Sequence, residues 1–100
     1  MPTSHDIPLD TPLHVSSAAV STAIPGETVI LDPTSGRYFG LDGVGARVWE
    51  MLQSPTTLGS MIATITSEYD VDAVTCERDL RTLLGQLDEK GLVVVGDADA

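Results

Sequence analysis

The run from Gly26 to Gln53, GETVILDPTSGRYFGLDGVGARVWEMLQ, constrains the fold more than any other stretch of the chain. Glu27 to Asp32 is a compact β-branched and apolar run, and Arg37 to Leu41 is a second short one. Between them, Pro33, Thr34, Ser35 and Gly36 are turn chemistry: proline presets a negative φ and glycine accepts a positive one. Two strands joined in this way predict an antiparallel hairpin. In the second strand Arg37, Phe39 and Leu41 share one face, with Tyr38 and Gly40 on the other. Asp42 then reads as an N-cap, and Ala46, Val48, Trp49, Met51 and Leu52 predict a short, strongly apolar helix. Tyr38, Phe39 and Trp49 all fall in this segment, so the core is expected to be seeded here.

Upstream, His14 to Ile24 is rich in small and β-branched residues and predicts a strand paired with Glu27–Asp32 across a Pro25-Gly26 turn. The first half therefore reads as a three-stranded antiparallel meander. Residues 1–12 carry Pro2, Pro8 and Pro12 with little periodicity and are expected to form a flexible arm. Downstream, Ser54-Pro55-Thr56-Thr57 breaks the chain, with Pro55 suited to the first turn of the next helix. Leu58, Met61, Ile62, Ile65 and Tyr69 predict that second helix. A third is expected over about residues 73–90, with Cys76, Leu80, Leu83 and Leu87 as its core stripe, Leu84 on the flank and Gly91 to end it. Leu92 to Val95 reads as a short strand or extended tail, and residues 96–100 as a frayed acidic end. The expected fold class is α+β, a truncated winged-helix-like domain over residues 13–95.

Fifteen acids against five bases give a net charge of -10. Such a surface repels phosphate backbones and anionic lipid and argues against nucleic acid and membrane as partners. It leaves solubility, or attraction of a basic peptide, as its use. No run approaches the roughly 18 apolar residues of a membrane span, and no signal peptide opens the chain, so a cytoplasmic location is expected. Cys76 is the sole cysteine, which excludes an intramolecular disulfide and a thiolate metal cluster. Its place on an apolar stripe predicts a buried, inert thiol. His5 and His14 have no ligand neighbour at helical spacing. Gly36, Gly40, Gly43 and Gly45 lack the lysine and the strand-loop-helix context of a phosphate loop. Glu77 with Asp79, and Asp88 with Glu89, read as a solvated helix face. No active site, metal or cofactor is expected. If Arg37–Leu41 is a sheet edge, however, its unpaired backbone groups meet the physical requirement for adding an extended peptide as a further strand.

The run VILDPTSGRYFGLDGVGARVWEML, followed by a second helix and then ERDLRTLLGQLDEKGLV, resembles the PqqD-like family over about residues 14–95. Residues 79–92, DLRTLLGQLDEKGL, match the form of that family's third helix closely. The resemblance implies a small recognition element that binds the leader segment of a ribosomally made precursor peptide. The leader would add as a strand along Arg37, Tyr38, Phe39, Gly40 and Leu41 and pack on a third helix offering Asp79, Leu80, Leu83 and Leu84. Two sides of that helix stay open: Leu84 with Glu77 and Asp88, or Asp79 with Leu83 and Gln86. The acidic, single-domain form is most similar to the free-standing leader-binding protein of lasso-peptide pathways. Its implied partners are a separate cysteine-protease leader peptidase and, further along, a cyclase. The alternatives are a chaperone delivering a precursor to a radical enzyme in redox-cofactor synthesis and, from another class, a winged-helix DNA-binding regulator.

Overall fold

The computed structural model describes residues 7–17, 19–32 and 35–96. The hairpin segment forms as its turn chemistry requires. β2 (Val20–Ile24), β3 (Glu27–Asp32) and β4 (Arg37–Asp42) make an antiparallel sheet in the order β2-β3-β4. Gly26, at φ +76, takes the positive φ that follows proline in the two-residue turn between Ile24 and Glu27. Gly36, at φ +72, donates its N–H to the Asp32 carbonyl at 2.8 Å, and Ser35 Oγ accepts from the Arg37 N–H. Pro33 and Thr34, assigned to the same turn, lie outside the described residues.

Three helices follow: α1 (Gly43–Met51), α2 (Leu58–Glu68) and α3 (Ala73–Glu89). Asp42 occupies the N-cap of α1 in extended conformation, although its carboxylate makes no capping hydrogen bond. Asp72 caps α3 through Thr75 N–H, and Gly91, at φ +71, lies just past its end. The core joins Ile30 of the sheet to Val48, Trp49 and Leu52, to Leu58, Met61 and Ile65, and to Cys76, Leu80, Leu84 and Leu87. Trp49 buries its indole and satisfies its N–H by donating to Ser21 Oγ at 3.0 Å. The α+β, winged-helix-like class is therefore correct, but four expectations within it need correction.

The strand expected over residues 14–24 is two strands. β1 (Pro12–Val15) leaves the meander and pairs with two short segments, β5 (Thr56–Thr57) and β6 (Val93–Val95), as a second antiparallel sheet in the order β5-β1-β6. The break falls in a run of serine and alanine, weak strand formers, where Ala19 N–H donates to the Ser16 carbonyl at 3.0 Å. Pro55 does not open α2; Thr57 caps it, its Oγ1 accepting from Ser60 N–H.

The arm expected over residues 1–12 is packed from Ile7 onward, and Met1 to Asp6 lie outside the described residues. Ile7 is 3% exposed, its carbonyl accepts from Arg81 Nη1 at 2.7 Å, and the Leu9 carbonyl accepts from Gly59 N–H at 3.0 Å. One buried isoleucine, one bond from the Arg81 side chain and one backbone bond hold what the prolines disguise as a free end. Of the tail, Gly96 N–H donates to the Pro12 carbonyl at 2.8 Å, and residues 97–100 lie outside the described residues.

The stripe on α3 is also rotated from expectation. Leu84, not Leu83, is fully buried, and Leu83 is half-buried at the flank. Among the described residues no helix is long and apolar enough to cross a membrane.

Candidate functional site

Strand order decides which backbone is available. Among the described residues β3 is flanked on both sides and β4 pairs along one edge only, its other edge running beside α3. The strand carries charge only at its two ends, Arg37 and Asp42, and no lysine or proline that would blunt an edge. Registration with β3 sets its faces: Phe39 lies opposite buried Ile30, and Leu41 opposite Thr28, so both turn toward the helices. Tyr38 lies opposite Leu31 and Gly40 opposite Val29, on the outer face, and Tyr38 is 71% exposed. A Cβ on Gly40 would come within 2.6 Å of Glu27 Oε1, so the Glu27 side chain lies over that position.

Between β4 and α3 runs a groove of about 650 Å³, walled by Phe39, Gly40 and Leu41 on one side and by Leu83, Gln86, Leu87 and Lys90 on the other. Leu83 also lines a second, mainly apolar hollow of about 450 Å³, formed with Val44 and Gly45 at the start of α1, Ile65, Tyr69 and Val71 from the α2 end, and Leu80. Asp70 and Asp79 stand on its rim. The two spaces meet at Leu83 and follow one side of α3. Lys90, at the C-cap of α3, joins helix to hairpin. Its Nζ lies 4.0 Å from the Asp32 carboxylate and 5.5 Å from the centre of the Phe39 ring, within cation–π range.

The sequence-derived site residues divide accordingly. Arg37 to Leu41 form the uncovered edge, and Asp79, Leu80 and Leu83 line the helix side. Leu84 is fully buried and lines neither space. Of the two sides of α3 left open by the sequence, the one carrying Asp79, Leu83 and Gln86 faces the sheet edge. Lys90 was missed, although it continues that line at helical spacing, seven residues beyond Leu83. Val44, Tyr69 and Val71 were missed because the start of α1 and the segment after α2, distant in sequence, meet beside α3.

Charge around the site is mostly acidic. Arg47 is engaged by Glu50 and Glu68, Arg78 by Asp79, and Arg81 by Glu77. The hydrogen bond from Arg47 holds the Glu68 carboxyl below its ordinary range. Burial, with Asp79 and Asp72 nearby, pushes the Cys76 thiol up, away from the thiolate form that nucleophilic chemistry requires. Among the described residues no group of three or more histidine, cysteine or acidic side chains could hold a metal ion.

Residues 27–93 match the family described as coenzyme PQQ synthesis protein D (PqqD), and the chain belongs to that family. Among solved structures it is similar to TbiB1 in complex with the TbiA(beta) leader peptide, at 42% identity and a TM-score of 0.74, covering 80% of this chain and 93% of that one. It is also similar to a lasso peptide synthetase B1 complexed with the leader peptide, at 26% identity and a TM-score of 0.72, covering 82% and 96%. The PqqD part of Methylobacterium extorquens PqqCD, a stand-alone recognition element for ribosomally made, modified peptides, shares the fold at 20% identity and a TM-score of 0.70, covering 91% and 97%. No curated protein matches the chain.

Proposed function

We propose that this protein is a non-catalytic recognition element that binds the leader segment of a ribosomally made precursor peptide, in the cytoplasm and in a lasso-peptide pathway. The leader adds as a strand along Arg37–Leu41 and sets alternate side chains into the groove against Leu83 and Gln86 and the hollow beside Leu80 and Asp79. Main-chain hydrogen bonds supply much of the affinity and the pockets supply the selectivity. The bound leader is presented to a separate cysteine-protease leader peptidase, and the freed peptide passes to a cyclase.

The observation that carries this reading is an uncovered β4 edge lying beside a groove on α3. It occurs in a chain 42% identical to a protein whose structure was solved with a leader peptide. Delivery of a precursor to a radical enzyme is less favoured, because the PqqD protein proper is similar at only 20% identity. A DNA-binding regulator is disfavoured by the net charge of -10.

The test is a fluorescence-polarisation titration of a labelled lasso leader and of a labelled duplex DNA against the same protein. Saturable leader binding with no DNA binding at moderate salt is expected. DNA binding without leader binding would overturn the proposal.

A further inference from the structure

A glycine in mid-strand gives up side-chain packing and often marks a place where another group comes close. At Gly40 of β4 that group is the Glu27 side chain of β3: a Cβ there would meet Glu27 Oε1 at 2.6 Å and Cδ at 3.6 Å. Gly40 lies opposite Val29, and Glu27 opposite Asp42. The Glu27 side chain therefore runs diagonally from β3 and sets its carboxylate over β4. It does so on the outer face of the sheet, shared with the exposed Tyr38, and not on the groove side. Among the described residues no cation pairs with that carboxylate. Arg47, Arg78, Arg81 and Lys90 are engaged by other acids, and Arg37 stands at the far end of β4 on the groove face.

We infer that Glu27 is a specificity residue for the bound peptide: from its place over Gly40 it selects a lysine or arginine that the added strand presents on the outer face. The inference rests on the function proposed above and gives that site a second reading surface besides the groove. Neighbouring strands lie about 5 Å apart, so β3 and a strand beyond β4 are separated by about 10 Å. With the Glu27 carboxylate already over the intervening strand, a basic side chain opposite Gly40 has only about 5 Å to cover. A larger residue at position 40 would displace the carboxylate and break that reach. Directly opposed residues in a sheet point to the same face, which fixes the spacing of what is read. The peptide residue beside Tyr38 stands two positions from the one beside Gly40, and the residue between them enters the groove beside Phe39. The selected pattern is thus a basic residue, a groove residue and a residue that packs on the Tyr38 ring. Asp42, opposite Glu27 on the same face, adds to the negative potential, so an acidic residue in the first position is repelled.

The experiment takes a fluorescein-labelled lasso leader and two series of it, in which each residue in turn is lysine or glutamate. Each peptide is titrated by fluorescence polarisation against wild type, Glu27→Lys and Glu27→Gln. Asp88→Lys, at an exposed position of α3 that lines neither the groove nor the hollow, controls for net charge. Circular dichroism checks the fold of each variant. Wild type is expected to show a position at which lysine binds about fivefold more tightly than glutamate, the size of an exposed cross-strand charge pair. Glu27→Lys should reverse the preference at that position and at no other. Glu27→Gln should remove it, and Asp88→Lys should leave it in place. Raising salt to about 0.5 M should narrow it in wild type. If Glu27→Lys fails to fold, Glu27→Gln, which keeps the shape and removes the charge, decides. The inference alone is overturned if wild type binds the leader but no position has a preference that depends on residue 27, or if Glu27→Lys shifts every position alike, as Asp88→Lys does. Wild type that binds no member of either series overturns the proposed function, and this inference with it.

Discussion

The two three-stranded sheets are built to opposite ends. β5-β1-β6 is drawn from residues 12–15, 56–57 and 93–95, and its middle is sunk in the core: Leu13 is fully buried and Val93 4% exposed, while Pro12 and Val95 stay exposed at the ends of their strands. Backbone bonds from Val15 N–H to the Leu52 carbonyl and from Ser16 N–H to the Leu92 carbonyl join its central strand to the ends of α1 and α3. β2-β3-β4 is continuous in the chain, has β2 exposed along its whole length, and contributes Ile30 as its one fully buried side chain. The first sheet closes the core. The second is anchored on one face, through Ile30, and its β4 edge is where the leader is proposed to add. On the proposed function, stability rests mainly on the first sheet and recognition on the β4 edge of the second.

The strongest attack on that division is Leu13→Ala. Removing a fully buried leucine side chain should destabilise the protein by about 2–5 kcal/mol in urea unfolding, while the protein still folded keeps its leader affinity. A loss of less than about 1 kcal/mol would mean that the second sheet, not the first, holds the domain together.

Next in size is a pair of edge substitutions, Tyr38→Pro and Phe39→Pro. Alternate residues of an antiparallel edge strand point their N–H outward, so one proline should remove an outward bond and the other a bond to β3. The first should weaken leader binding by about 1 kcal/mol or more with the fold retained, and the second should lower the melting temperature. A folded edge variant with full leader affinity would move the binding site away from β4.

Thr57→Ala should destabilise by about 1 kcal/mol, because Thr57 both pairs with β1 and caps α2; leader titration should not register the change. The smallest effect is one of pH. Hydrogen bonds from Thr75 hold the Asp72 carboxyl below its ordinary range, so the ionised form favours the folded state. Its contribution is present above the unfolded carboxyl's pKa and is lost as pH falls through the lowered folded value. Asp72→Asn should lower the melting temperature at neutral pH and flatten its decline between about pH 5 and pH 3.

The meander and helices could be read from sequence because their signals are local: Pro25-Gly26 and Gly36 mark the turns, and Asp72 and Gly91 bracket α3. The closing sheet could not, since nothing in Leu13, Thr56 or Val95 says that they meet; only the packing of the helices brings them together. Ile7 was hidden by the prolines around it. The orientation of α3 was ambiguous because Leu83 and Leu84 both continue the stripe begun by Cys76 and Leu80 at three- and four-residue spacing. What decides between them is the sheet: Leu84 meets the core and Leu83 the gap beside β4. The candidate edge was legible from strand order alone, while the hollow beside it needed Val44, Tyr69 and Val71 to be assembled in space.

The single bond from Gly96 N–H to the Pro12 carbonyl has a further consequence. The chain enters the closing sheet and leaves it at neighbouring points. A domain with that geometry can be spliced into a surface loop of a larger enzyme without stretching the host on either side, provided the strap from Ile7 is kept. Tethered in this way, it would hold its peptide near the host's catalytic centre at an effective concentration of roughly millimolar.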